Sequence, residues 1–236
     1  MMNGHKFDFT SSDVVNIIAL VYDYSGSMSS DVSAIRKANK AFYSDFSRFE
    51  EKASVAIAKA AFNENFSMTP FKTVSSFDTS YYAHGGTRLY DAISKAGSET
   101  IEYYNELVKR LNIRPRITFL VFTDGLDNSS TTKFNAAKQM IAKLNSLDAT
   151  TVFVAFRDAI SGCIGDKLGF TCTKDISSVE ELISCLGAEL SQSCKEQSKS
   201  PVSLKSAFFS KAAPTPTEDA VKDADDMLSD SFFSID

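Results

Sequence analysis

Val14-Val15-Asn16-Ile17-Ile18-Ala19-Leu20-Val21-Tyr22-Asp23-Tyr24-Ser25-Gly26-Ser27 is the stretch that decides how this chain folds. Its first part is apolar apart from Asn16 and reads as a strand covered on both faces, the kind found in the middle of a parallel sheet. The run stops at Asp23, and the turn that follows carries hydroxyls at Ser25 and Ser27. One carboxylate and two hydroxyls at alternate positions make a set of hard oxygen donors with little negative charge. Such a set suits a small divalent cation like Mg²⁺, which keeps near-octahedral geometry and parts reluctantly with its waters.

Working outward, Val32, Ile35, Asn39, Phe42, Phe46 and Phe49 recur at three- and four-residue steps, which predicts a covering helix. Ser54 to Ala58 and Phe66 to Phe71 read as neighbouring strands around a turn at Asn63-Glu64-Asn65, with Pro70 favouring an edge for the second. After a loop from Phe77 to Gly86, the stripe from Leu89 to Leu111 predicts a long helix closed by Arg114-Pro115. Ile117 to Thr123 is a second doubly covered strand, ending at Asp124-Gly125. A helix with Phe134, Ala137, Ile141 and Leu144 follows, then a buried run from Thr151 to Phe156. Beyond it come a small-residue stretch from Asp158 to Lys167, a weaker strand at Phe170 to Thr173 and a helix with an apolar stripe from Val179 to Leu190. Strands alternating with helices imply an α/β fold: three layers, doubly wound, with a mostly parallel central sheet and one antiparallel edge strand.

A chain of 236 residues with 43% hydrophobic content can bury one sizeable core, so residues 1–197 are expected to form one domain with its core at about 14–193. From Ser198 the composition turns to Ser, Lys, Ala and Pro without periodicity, and 198–236 reads as a disordered tail. The net acidity sits in the last part of that tail: Glu218 to Asp236 holds seven acids and one lysine, leaving 24 basic and 23 acidic residues elsewhere. A nearly neutral body with no clustered basic face argues against nucleic acid as a partner. The N-terminal apolar run is too short to span a membrane and wrongly flanked for a signal peptide. Cys163, Cys172, Cys185 and Cys194 show no metal-site spacing, so reduced thiols in a cytoplasmic setting are expected. Two Phe-Phe motifs in the tail, Phe208-Phe209 and Phe232-Phe233, read either as docking motifs or as segments that fold back.

In an open parallel sheet, ligands gather outside the carboxyl ends of the strands. Asp23 and Asp124 each end a central strand there, and Gly85-Gly86-Thr87 precedes the long helix, with Thr87 able to direct a hydroxyl into the same crevice. Each piece alone is weak evidence, but their order and common position combine into one expected metal site: Asp23, Ser25, Ser27, Thr87 and Asp124.

These residues resemble the von Willebrand factor type A (vWA) domain and its metal-ion-dependent adhesion site. Asp23-Tyr24-Ser25-Gly26-Ser27 is similar to that family's first motif, Gly86-Thr87 to its second and Thr123-Asp124-Gly125 to its third, over roughly Val14 to Ser193. The resemblance implies that Ser25, Ser27 and Thr87 ligate the ion, that Asp23 and Asp124 act directly or through water, and that a partner's Asp or Glu completes the shell. It implies Mg²⁺, with Mn²⁺ or Ca²⁺ as alternatives, and a protein-binding role. The layout is closest to compact intracellular members, including those encoded near tellurite-resistance and stress-response genes.

Tyr81, Tyr82 and His84, just before Gly85, form either a partner-facing rim or local packing under the loop. Asp127 lies either on the same rim or in a helix-entry loop, and Asp91 either orients a site hydroxyl or complements a helix N-terminus. No catalytic residue is expected. A Mg²⁺-dependent phosphatase using Asp23 is the alternative, but it needs a second acid where Ser25 stands. The GxSxG elbow of hydrolases and the GxxxxGK phosphate loop are both absent from the sequence. The acidic tail is a tether long enough to bring a carboxylate to its own or a neighbouring site, for autoinhibition or self-association.

Overall fold

The computed structural model describes residues 16–50, 55–112, 114–156 and 159–178, together with Glu181 and Cys185. The expected C-terminal helix, all but two of its residues, the tail with its Phe-Phe motifs and Cys194 lie outside the described residues.

Strand β1 (Asn16–Asp23) is buried at every position and pairs in parallel with β2 (Val55–Phe62) on one side and β4 (Arg116–Thr123) on the other. With β3 (Phe66–Met68), β5 (Thr150–Phe156) and β6 (Cys172–Ile176), the six-stranded sheet runs β3-β2-β1-β4-β5-β6. Every pairing is parallel except that of β3, which runs antiparallel to β2. The architecture is therefore α/β, with a mostly parallel sheet and one antiparallel edge, as the alternation of strand and helix predicts.

Period-two alternation divides the core into two faces. Ile17, Ala19 and Val21 pack with Phe119, Val121 and the stripe Leu89, Ile93, Ala96 and Leu107 of α2 (Leu89–Leu111). Ile18, Leu20 and Tyr22 face the other way, onto Ile35, Phe42 and Phe46 of α1 (Val32–Glu50). Helix α3 (Phe134–Ser146) joins the first face through Ala137, Ile141 and Leu144. A fully buried side chain of this size contributes roughly 1.5–3 kcal/mol, so the helices are held chiefly by these stripes. No described helix is long and apolar enough to cross a membrane.

Four boundaries differ from expectation. Strand β2 runs on to Phe62 because Lys59, which looks like a strand end, is buried inside it. Helix α2 ends at Leu111, ahead of Arg114-Pro115, because Asn112 takes a left-handed conformation (φ 52°) and donates its N–H to the Val108 carbonyl. The small-residue stretch is a helix, α4 (Ala159–Leu168), and its Gly165 lets it sit against Phe153, where a Cβ would come within 2.7 Å of the ring. Strand β6 begins at Cys172, later than expected. Thr171 and Thr151 exchange hydroxyl-to-backbone bonds of 2.9 Å ahead of the ladder.

Candidate metal centre

The chain order reverses between β1 and β4, so the carboxyl ends of these two strands open a crevice at the switch point. Asp23 ends β1 there and is fully buried. One carboxylate oxygen accepts the Ser25 N–H at 2.8 Å and the other accepts the Thr123 hydroxyl, from the end of β4, at 2.6 Å. Burial pushes its pKa up to about 6, although the hydrogen bonds from Thr123 and Ser25 favour the charged form.

The hydroxyls continue the chain. Ser25 Oγ, buried, lies 2.9 Å from Ser27 Oγ, and Ser27, exposed, donates to the Asp124 carboxylate at 2.8 Å. Thr87 is buried and is fixed through its backbone: its N–H donates to Asn128 Oδ1 at 2.8 Å, and its carbonyl accepts the Asn128 and Ser129 N–H groups. The first and second loops join where Gly26 N–H meets the Gly85 carbonyl at 2.9 Å and His84 N–H meets the Tyr24 carbonyl at 2.8 Å. All three loops are thus tied pairwise at the crevice.

Gly85 is required by this closure. Its φ of 80° is left-handed, and a Cβ would also press on the Glu64 side chain at 3.2 Å. Gly85→Ala is expected to cost about 1–2 kcal/mol, read as a lower denaturation midpoint with an unchanged slope. At Gly86 a Cβ would meet Ser129 Oγ at 3.2 Å and Asn128 Oδ1 at 3.3 Å, so the third loop packs on bare backbone.

The donor chemistry fits a small divalent cation. Among the described residues no three His, Cys, Asp or Glu side chains cluster, so such an ion would depend on Ser25, Ser27 and Thr87 hydroxyls beside Asp23 and Asp124. The hydrogen bonds of 2.9 and 2.8 Å along Ser25, Ser27 and Asp124 already hold three of these oxygens side by side.

Solved structures share this arrangement of sheet and helices. The pilus adhesin SpaC of Lactobacillus rhamnosus GG matches with a TM-score of 0.57 at 13% identity, over 80% of this chain and 30% of that one. A von Willebrand factor type A protein from Catenulispora acidiphila matches at 0.50 and 16% identity, over 74% of this chain and 42% of that one. The manganese-loaded TRAP protein of Plasmodium vivax matches at 0.50 and 14% identity, over 75% and 72%. The fold is that of a vWA domain. No protein-family profile matches the sequence, and no curated protein matches it. The chain thus spans under half the length of the first two of these structures.

Within the vWA fold, the expected rim separates into two parts. Tyr82, 53% exposed, and His84 stand at the surface with their rings stacked, centroids 5.6 Å apart. With Tyr24, Asn63, Asn65 and Ser67 they line a cleft of about 100 Å³. Tyr81 does not belong to the rim: it is fully buried, its ring packs on Tyr24 and its hydroxyl donates to the Asp23 carbonyl. Asp127 is also turned inward. Its carboxylate accepts the Tyr90 and Ser130 N–H groups, capping α2, whose first turn lacks a cap from Arg88. Burial pushes the Asp127 pKa up against those bonds.

Asp91 works on the third loop and makes no bond to a site hydroxyl. It is buried and accepts Thr132 N–H at 2.8 Å, Thr131 N–H at 3.2 Å and the Thr131 hydroxyl at 3.1 Å. Burial alone would raise its pKa, but these bonds hold it below the usual range. Lys59 is a supporting residue that sequence does not reveal, whereas Thr123 stands in the Thr123-Asp124-Gly125 motif, as a hydroxyl closing a largely apolar strand directly before Asp124.

Proposed function

We propose that this vWA domain is a divalent-cation-dependent protein-binding module that captures a carboxylate of a partner protein. The observation that carries the reading is the run of oxygens Ser25, Ser27 and Asp124 at 2.9 and 2.8 Å, backed by buried Asp23 and opening at the exposed Ser27. Ser25, Ser27, Thr87, Asp23 and Asp124 would hold Mg²⁺, or Mn²⁺ or Ca²⁺ in its place. A divalent ion with few anionic protein ligands stays electrophilic and favours an outside carboxylate. The manganese in the TRAP structure is in keeping with such an ion on this fold.

Binding is favoured over phosphoryl transfer by the state of Asp23. Both of its oxygens already accept hydrogen bonds and the side chain is buried, which suits a ligand and its support better than a nucleophile. Cys163, Cys172 and Cys185 are present as thiols, in keeping with a reducing compartment, and the resemblance to compact intracellular vWA proteins suggests a stress, resistance or assembly system.

Capture from native lysate tests the reading: carboxylate-bearing protein should be retained on the immobilised full chain in Mg²⁺ and released by excess chelator. Thr87→Ala should weaken Mg²⁺ binding about 10–100-fold without lowering the melting temperature of the chelated protein. Capture that persists in chelator overturns the proposal.

A further inference from the structure

Lys59 lies in the middle of β2, opposite Leu20 of β1, and is 4% exposed. Ala56, Ile57, Ala58 and Ala60 around it are buried and apolar. A buried ammonium is expensive unless its donors are used. Its Nζ donates to the Asp78 carbonyl at 3.0 Å and to the Ser80 carbonyl, and lies 3.7 Å from the Asp78 carboxylate. The rings of Tyr22, Tyr24 and Phe77 surround it with centroids at 5.7–5.8 Å. The carbonyls it serves belong to the segment between the short helical turn at Val74–Ser76 and α2, a stretch without regular secondary structure.

That segment is a strap over the first site loop. The Ser80 carbonyl also accepts the Tyr24 hydroxyl at 3.1 Å, and the Tyr81 carbonyl accepts Arg36 Nε at 2.8 Å. Tyr81 then donates its hydroxyl to the carbonyl of Asp23, and the strap closes through His84 and Gly85 onto Tyr24 and Gly26. One ammonium therefore anchors the backbone that sets Tyr81, and Tyr81 touches the residue at the root of the metal centre. An apolar side chain of equal length would fill the same volume but leave two inward carbonyls without this donor.

We propose that Lys59 is a positioning residue for cation binding, acting through the 78–81 strap and the Tyr81 hydroxyl on Asp23. The role rests on the cation-binding reading above. In the full chain, with Mn²⁺ as the probe and calorimetry as the readout, Lys59→Met should lower affinity about tenfold. Lys59→Arg, which keeps charge and donors, should recover most of it. Tyr81→Phe should show a similar loss, and the double variant no more than the larger single effect, because both act along one path. Amide exchange at Gly26 and His84 should quicken in Lys59→Met while that of β4 stays unchanged. Should Lys59→Met not fold, Lys59→Gln carries the same expectations. A folded variant that binds Mn²⁺ as wild type does, or leaves Gly26 and His84 exchange unaltered, overturns the role. If wild-type protein has no Mn²⁺ affinity, the cation reading itself fails.

Discussion

Asp23→Asn should lower divalent-cation affinity by more than about 100-fold, beyond the range expected of supporting residues, yet make the metal-free domain more stable at pH 8. The substitution removes a charge and keeps the shape. Asn can still accept the Ser25 N–H, and the Thr123 hydroxyl can rotate to accept from the new amide. The stability gain follows from burial. The Asp23 carboxyl titrates near 6 when folded and at 3.8 in the reference state, so the folded protein holds this proton longer. Between those values the folded state binds more protons, and stability falls as pH rises through the window, by up to about 3 kcal/mol. Chelated wild-type protein should thus lose stability from pH 4 to 6 relative to Asp23→Asn, and the difference should persist above it. Asp91 and Asp78, whose carboxyls are held low, act in the opposite sense at lower pH and cancel in the comparison. Saturating Mg²⁺ should erase the wild-type deficit and leave the variant unmoved. Parallel pH profiles for the two proteins in chelator would show that Asp23 carries no such buried charge.

The second large effect is expected at Asp91. Asp91→Ala removes the acceptor for two backbone N–H groups and one hydroxyl of the third loop, at a residue only 3% exposed. Leaving such donors unpaired costs about 1–3 kcal/mol each where water does not replace the partner, so a loss of about 3 kcal/mol is expected in urea denaturation. Because this loop carries Asp124, Mg²⁺ affinity should fall about tenfold as well. Asp91→Asn, which retains one acceptor oxygen, should lie between. A stability change below about 0.5 kcal/mol would mean that water takes over these bonds.

The parts legible in the sequence are those whose local pattern and final environment agree. In β1, β4 and β5, apolar and β-branched residues dominate because both faces of the sheet are covered, so the central strands and the strand-end positions of Asp23 and Asp124 could be read directly. The residues that resisted reading act against their type. Lys59 is a charge inside a strand, Tyr81 is a loop aromatic turned wholly inward, and α4 is a helix built from small residues that favour close packing over helix formation. Asp91 and Asp127 were visible as acids near a helix start, but which donors they meet depends on a loop some forty residues away. Tertiary bonds of that kind leave no periodic signal.

The placing of β1 beside β4 also governs when the site can come into being. Thr123 meets Asp23 across 100 residues of sequence and Asp124 meets Ser27 across 97. Parallel pairing at such separation is slow to form, since loop closure must precede the contacts that reward it. During synthesis, the first loop emerges long before the partner that completes it. Under the proposed function, capture competence would be a late event in the life of the chain, reached only after β4 has docked, and an unfinished molecule would have nothing with which to hold a partner.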